Sequence, residues 1–111
     1  SRSLKNNNFE YFDTNSSEPC MVMFYAPWCG FCKKTMPDWE KLESSNPKNS
    51  TGKKVKVIKI NCDENKELAS KYNIKGYPTI KYFTQGLNGA HRVDFNGDRN
   101  INGFLNFIKS Q

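Results

Sequence analysis

At 111 residues, 36% hydrophobic and 25% charged, the chain has the size and balance of a single globular domain, 1–111, that buries one core without staples. No apolar run approaches the ~20 residues that a membrane-spanning helix needs, so no membrane role is expected. Net charge is +6, but the lysines are scattered and only Lys33-Lys34 and Lys53-Lys54 are adjacent, so the expectation is a solvated surface with a mild taste for acidic partner proteins and no nucleic-acid face.

The chain opens at Ser1 without an apolar leader, so a leader since removed and one that never existed both stay open, and a domain trimmed from a longer chain fits the short first strand. Asn6-Asn7-Asn8 reads as a polar lead-in, and Phe9 and Phe12 with their polar neighbours predict a short helix. The apolar run at residues 21–25, bounded by Pro19 and Pro27, predicts a strand buried on both faces. Behind it Cys32, Met36, Trp39 and Leu42 fall at i, i+4, i+7 and i+10, which is one helical stripe, with Pro37 inside it as an expected kink. Residues 43–54, rich in Ser, Asn and Lys, predict a loop, and residues 55–60 a second strand. Asp63 is the expected N-cap of a second helix carrying Leu68, Ala69 and Tyr72. Gly76-Tyr77-Pro78 predicts a turn, residues 79–83 a third strand, and residues 90–95 a fourth that closes a hairpin. Ile101, Phe104, Leu105 and Ile108 share one face of a last helix. Two strand–helix–strand units, each implying parallel neighbours joined by a right-handed crossover, followed by an antiparallel hairpin, imply an α/β fold: a mixed central sheet flanked by helices on both faces.

Chemistry concentrates at Trp28-Cys29-Gly30-Phe31-Cys32, where a buried strand gives way to a helix. Unpaired N–H groups and the positive end of the helix dipole both favour a thiolate over a thiol at Cys29. Its pKa is expected below the unperturbed value of about 8.5. Cys32, three residues on, lies over Cys29 on the same face, points inward with Met36 and keeps its proton longer. An exposed nucleophile beside a sheltered second thiol suits disulfide exchange: Cys29 forms a mixed disulfide and Cys32 resolves it. Gly30 lets a partner chain come close, and Trp28 covers one side of the sulfur. A static Cys29–Cys32 disulfide is the bland alternative, but so short a loop removes little chain entropy. A zinc site would want a second ligand pair, and Cys20, Cys62 and His91 stand at unsuitable spacings, so no metal is expected. Cys20 and Cys62 read as buried, inert residues, and His91 as a surface strand residue. Asn15-Ser16-Ser17 and Asn49-Ser50-Thr51 fit the glycosylation acceptor pattern and weigh weakly for a secretory setting.

Trp28 to Lys33, the internal Pro37, and Gly76-Tyr77-Pro78-Thr79 about 45 residues later together resemble the thioredoxin superfamily, over roughly residues 21–109. The stretches 24–29 and 72–79 look most like the catalytic domains of protein disulfide isomerases. The resemblance implies a thioredoxin fold and a thiol–disulfide oxidoreductase with a role in protein folding. It implies that Pro78 is cis and faces the cysteine pair, leaving the Tyr77 backbone free to pair with an extended substrate strand; an ordinary turn at Tyr77-Pro78 is the alternative. Trp28, Gly30, Phe31, Tyr77 and Pro78 would then form the recognition surface.

Three departures matter. Phe31 stands where isomerases have histidine and thioredoxin has proline; it gives no cationic help to Cys29, so a potential more reducing than the ~−180 mV of isomerases is expected. Phe31 also offers apolar surface to substrate, unless it simply packs. The lysine of the family's buried carboxylate–lysine pair matches Lys59, a surface lysine being the alternative, but the carboxylate position holds Met23, which cannot take a proton. Arg99 matches an arginine that swings toward the second cysteine and lowers its pKa; it could instead be a solvated charge at a helix start. The implied partners are protein substrates with thiols or disulfides and a redox partner, whether reductase, glutathione or oxidase. No cofactor is implied, and a monomer is expected. The endoplasmic reticulum lumen is the favoured setting, with the cytoplasm left open. A general thioredoxin-type reductant, or a non-catalytic module that captures a partner at the Tyr77-Pro78 groove, are the other readings.

Overall fold

The central strand of the sheet is β3 (Cys20–Tyr25), and all six of its residues are buried. The computed structural model describes residues 3–5, 11–13 and 16–111. In the main sheet the order is β4-β3-β5-β6, with β4 at Lys56–Asn61, β5 at Thr79–Phe83 and β6 at Arg92–Asp94. β3 runs parallel to β4, in a register that sets Met23 against Lys59, but antiparallel to β5, so the second strand–helix–strand unit does not return the parallel strand expected of it: β5 comes back reversed beside β3. β6 pairs antiparallel with β5. Sandwiching β3 between neighbours explains its unbroken apolar run, because a strand with covered faces has no polar side.

Successive side chains of β3 leave on opposite faces and feed two cores. Met21, Met23 and Tyr25 pack with Cys32, Trp39 and Leu42 of α1 (Gly30–Ser44) and with Phe104 and Ile108 of α3 (Ile101–Lys109). Cys20, Val22 and Phe24 pack on the other face with Ile60, Cys62, Tyr72 and Phe83, beneath Leu68 and Ala69 of α2 (Lys66–Lys71). This is the thioredoxin fold expected from the sequence, a mixed sheet with helices on both faces. Trp39 and Phe104 meet edge to face, their centroids 5.0 Å apart, and Asp38 of α1 accepts the Ile101 backbone N–H at 2.9 Å, which fixes the start of α3 against α1. Fully burying one such large apolar side chain contributes about 1.5–3 kcal/mol.

Several element boundaries differ from expectation. α1 runs unbroken through Pro37 and reaches Ser44, so Glu43 is helical and the loop starts later. Asp63 does not cap α2: the Asn61 side chain accepts the Asp63 N–H at 2.9 Å, residues 61–64 turn, and Asn65 takes the cap position. Phe12 lies in β2 (Tyr11–Asp13), which pairs antiparallel with β1 (Ser3–Lys5), where a helix was expected; adjacent aromatic residues favour strand over helix. Phe9, Asn6-Asn7-Asn8 and Asn15 lie outside the described residues. No helix among the described residues is long and apolar enough to cross a membrane.

Candidate active site

The parallel strands β3 and β4 end side by side, and the loops leaving their carboxyl ends converge on Cys29. Cys29 is the N-cap of α1, with extended backbone at φ −79° and ψ 119°. Its Sγ accepts the Cys32 N–H at 3.3 Å, and its thiol reaches the Tyr77 carbonyl at 3.5 Å. Cys29 is only 7% exposed, so the nucleophile expected to be exposed is in fact largely covered. Burial alone would raise its pKa. Hydrogen bonds from the Cys32 thiol and from the Cys32 and Phe31 backbone N–H groups, with the Arg99 charge, outweigh burial and hold Cys29 below the ordinary thiol range. Cys32 goes the other way: burial first, then the hydrogen bond it gives to Cys29, push it up to about 12. All four cysteines are free thiols. One sulfur disposed to ionise, beside one that holds its proton, is a pair able to open and close a disulfide.

Around the pair, Trp28 is 66% and Phe31 64% exposed, so Phe31 is not a packing residue. A side chain built on Gly30 would meet nothing within 4 Å, so the fold does not demand glycine there. The Tyr77-Pro78 peptide is cis, and Pro78 is buried while Tyr77 is partly exposed. The Trp28 and Tyr77 rings meet edge to face with centroids 5.8 Å apart. Arg99 is exposed, but its Nη2 donates to the Pro78 carbonyl at 3.5 Å and its charge reaches both Cys29 and Cys32. Arg99 is thus an exposed charge at the start of α3, as the alternative had it, whose field also reaches the cysteine pair.

Lys59 is 4% exposed and so is not a surface lysine. Its Nζ lies 3.3 Å from Glu43 Oε1 and 3.8 Å from Glu40 Oε2, both on α1, while Met23 beside it is fully buried. Lys59 is thus satisfied by carboxylates from the helix, not from β3. Cys20 and Cys62 are buried as expected, with pKa values pushed by burial up to about 12 and about 11. His91 is exposed but lies just before β6. Among the described residues no three side chains of metal-ligating type come together.

Two residues of the site went unnoticed in the sequence. Asp63 Oδ2 accepts the Trp28 indole N–H at 3.1 Å, and Cys62 lies close enough to Tyr77 for each to shift the other's titration. Asp63 thus braces the Trp28 ring, which in turn meets Tyr77 edge to face. The signal that could have found it is position: in α/β sheets the functional loops gather at the carboxyl ends of parallel strands.

The thioredoxin family model matches residues 1–110. The chain belongs to the thioredoxin family. This thioredoxin-family chain is 39% identical over 108 residues to a probable protein disulfide-isomerase A6 of Medicago sativa, a match covering 97% of the chain and 28% of that relative. It is 38% identical over 110 residues to protein disulfide-isomerase 1 of Dictyostelium discoideum, covering 97% of the chain and 29% of the relative. The chain therefore spans less than a third of these relatives. Among solved structures, the first thioredoxin domain of mouse protein disulfide-isomerase A4 superposes with a TM-score of 0.71 at 30% identity, over 96% of the chain and 77% of that structure.

Proposed function

We propose that this domain is a thiol–disulfide oxidoreductase of the protein disulfide isomerase kind, acting on protein disulfides and dithiols. The observation that carries the reading is the opposed titration of two thiols in contact: Cys29 held low, Cys32 held high, with Cys32 N–H on Cys29 Sγ at 3.3 Å. The Cys29 thiolate attacks one sulfur of a substrate disulfide, forming a mixed disulfide and expelling the other sulfur as a thiolate. Cys32 then gives up its proton and attacks Cys29 Sγ, expelling the second substrate thiolate. Two electrons pass to the substrate, and the domain ends with a Cys29–Cys32 disulfide; the reverse sequence oxidises a dithiol. Trp28, Gly30, Phe31, Tyr77 and Pro78 form the substrate face, supported by the exposure of Trp28 and Phe31 and the open space over Gly30. The domain works as a monomer and exchanges electrons with a reductase, glutathione or an oxidase. The relatives named protein disulfide-isomerases support the endoplasmic reticulum lumen as its setting.

The test is insulin reduction by the chain and two variants. Cys29→Ser abolishes turnover, and Cys32→Ser accumulates a mixed disulfide between Cys29 and substrate, visible by mass. Turnover that survives Cys29→Ser overturns the reading. An exposed, uncharged Phe31 favours a second reading, a general reductant poised below the isomerases; equilibration with glutathione decides between them.

A further inference from the structure

β6 ends at Asp94, and a last bond from the Phe95 N–H to the Ile80 carbonyl at 2.9 Å leaves Thr79, the first residue of β5, uncovered. The gap it leaves is a cleft of about 240 Å³ walled by Pro78, Thr79, Lys81, Asp94, Asn96 and Arg99. It adjoins the cysteine pair: Pro78 in its wall follows Tyr77, whose carbonyl the Cys29 thiol reaches at 3.5 Å, and the charge of Arg99 acts on both sulfurs. Within it Lys81 Nζ and Asp94 Oδ1 are 2.7 Å apart, so these two charges neutralise each other. The charge left over is Arg99. One of its N–H groups is held by the Pro78 carbonyl at 3.5 Å. A guanidinium carries five N–H donors in a planar fork, so others stay available for a carboxylate.

We infer that this cleft is a carboxylate subsite, with Arg99 as its specificity-determining residue, and that the domain prefers disulfides carrying a carboxylate near the reactive sulfur. Two sources share that chemistry: the carboxylates of a glutathionyl group, and an Asp or Glu side chain next to a substrate cysteine. The inference rests on the thiol–disulfide reading above and adds a substrate class to it. The exchange step is unchanged: Cys29 thiolate attacks the mixed disulfide and one thiolate leaves. What Arg99 adds is a partner for the substrate's negative charge at the moment of attack.

The experiment follows release of a fluorescent reporter peptide from mixed disulfides by the reduced domain. One arm compares the glutathione mixed disulfide with that of glutathione diethyl ester, which keeps the shape and loses both carboxylates. The other compares peptide disulfides with Glu or Gln beside the cysteine. The wild-type chain is expected to favour the carboxylate by about tenfold in kcat/KM in at least one arm, and the arm that responds identifies the source. Arg99→Gln brings the ratio to about one, Arg99→Glu inverts it, and Arg99→Lys keeps part of it. If Arg99 acted only through its field on the sulfurs, Arg99→Gln would slow both members of a pair alike and leave the ratio standing, which overturns the subsite. A wild-type chain that exchanges every substrate at equal rates overturns the subsite alone. A chain that exchanges none overturns the oxidoreductase reading with it.

Discussion

Cys29 owes its character to hydrogen bonds it receives, so the clearest residue-level prediction concerns rate against pH. Iodoacetamide will alkylate Cys29 at neutral pH faster than free cysteine and before the other three thiols, with a midpoint below the ordinary thiol range, as mass mapping checks. Phe31 gives that sulfur no charge, and Phe31→His should move the potential upward from a starting value more reducing than ~−180 mV, read by glutathione equilibration. Asp63→Ala removes the Trp28 partner; the expected result is altered indole fluorescence and a KM for peptide substrates raised about threefold, with kcat nearly kept. The contrast between the Cys29 and Cys32 thiols was legible because it is set locally, in the first turn of one helix. The Asp63 contact was not: the Trp28–Asp63 bond spans 35 residues, and no local pattern announces it.

Contacts between elements decided what the sequence left ambiguous. The end of α1 is one case: Glu43 sits in a Ser- and Asn-rich stretch, but its carboxylate meets Lys59 on β4 at 3.3 Å, and the helix extends to include it. The start of α2 is another, because Asn61 captures the Asp63 N–H and delays the helix. From β3 onward the strand–helix order was readable, since apolar runs and stripes survive such local contests; the β1–β2 pair, expected as a helix, was not. Between β3 and β4, the Met23–Lys59 register bears on proton transfer. Met23→Glu should set a carboxylate beside Lys59 and speed resolution by Cys32, at a cost of a few kcal/mol for burying the new charge. Single-turnover kinetics and thermal melts check both halves; unchanged resolution would remove this position from the mechanism.

At the scale of the whole molecule, folding seals Cys20, Cys32 and Cys62 inside two cores and raises all three, to about 12, 12 and 11. The unfolded chain releases those protons near the ordinary thiol value of about 8.5, while the folded chain keeps them to far higher pH. Between these limits the unfolded state binds fewer protons, so the stability of the reduced domain falls as pH rises through that window. Melts at pH 7.5 and 10.5 should show the loss, and Cys20→Ala should lessen it; a flat profile would contradict the burial of these thiols. The same sealing has a temporal side. A nascent chain carries four interchangeable sulfurs that can couple in several wrong ways, and only closure of both cores retires Cys20 and Cys62 and leaves Cys29 with Cys32 sheltered behind it as the one reactive couple. The domain has to finish its own folding before it can be trusted with the cysteines of another chain.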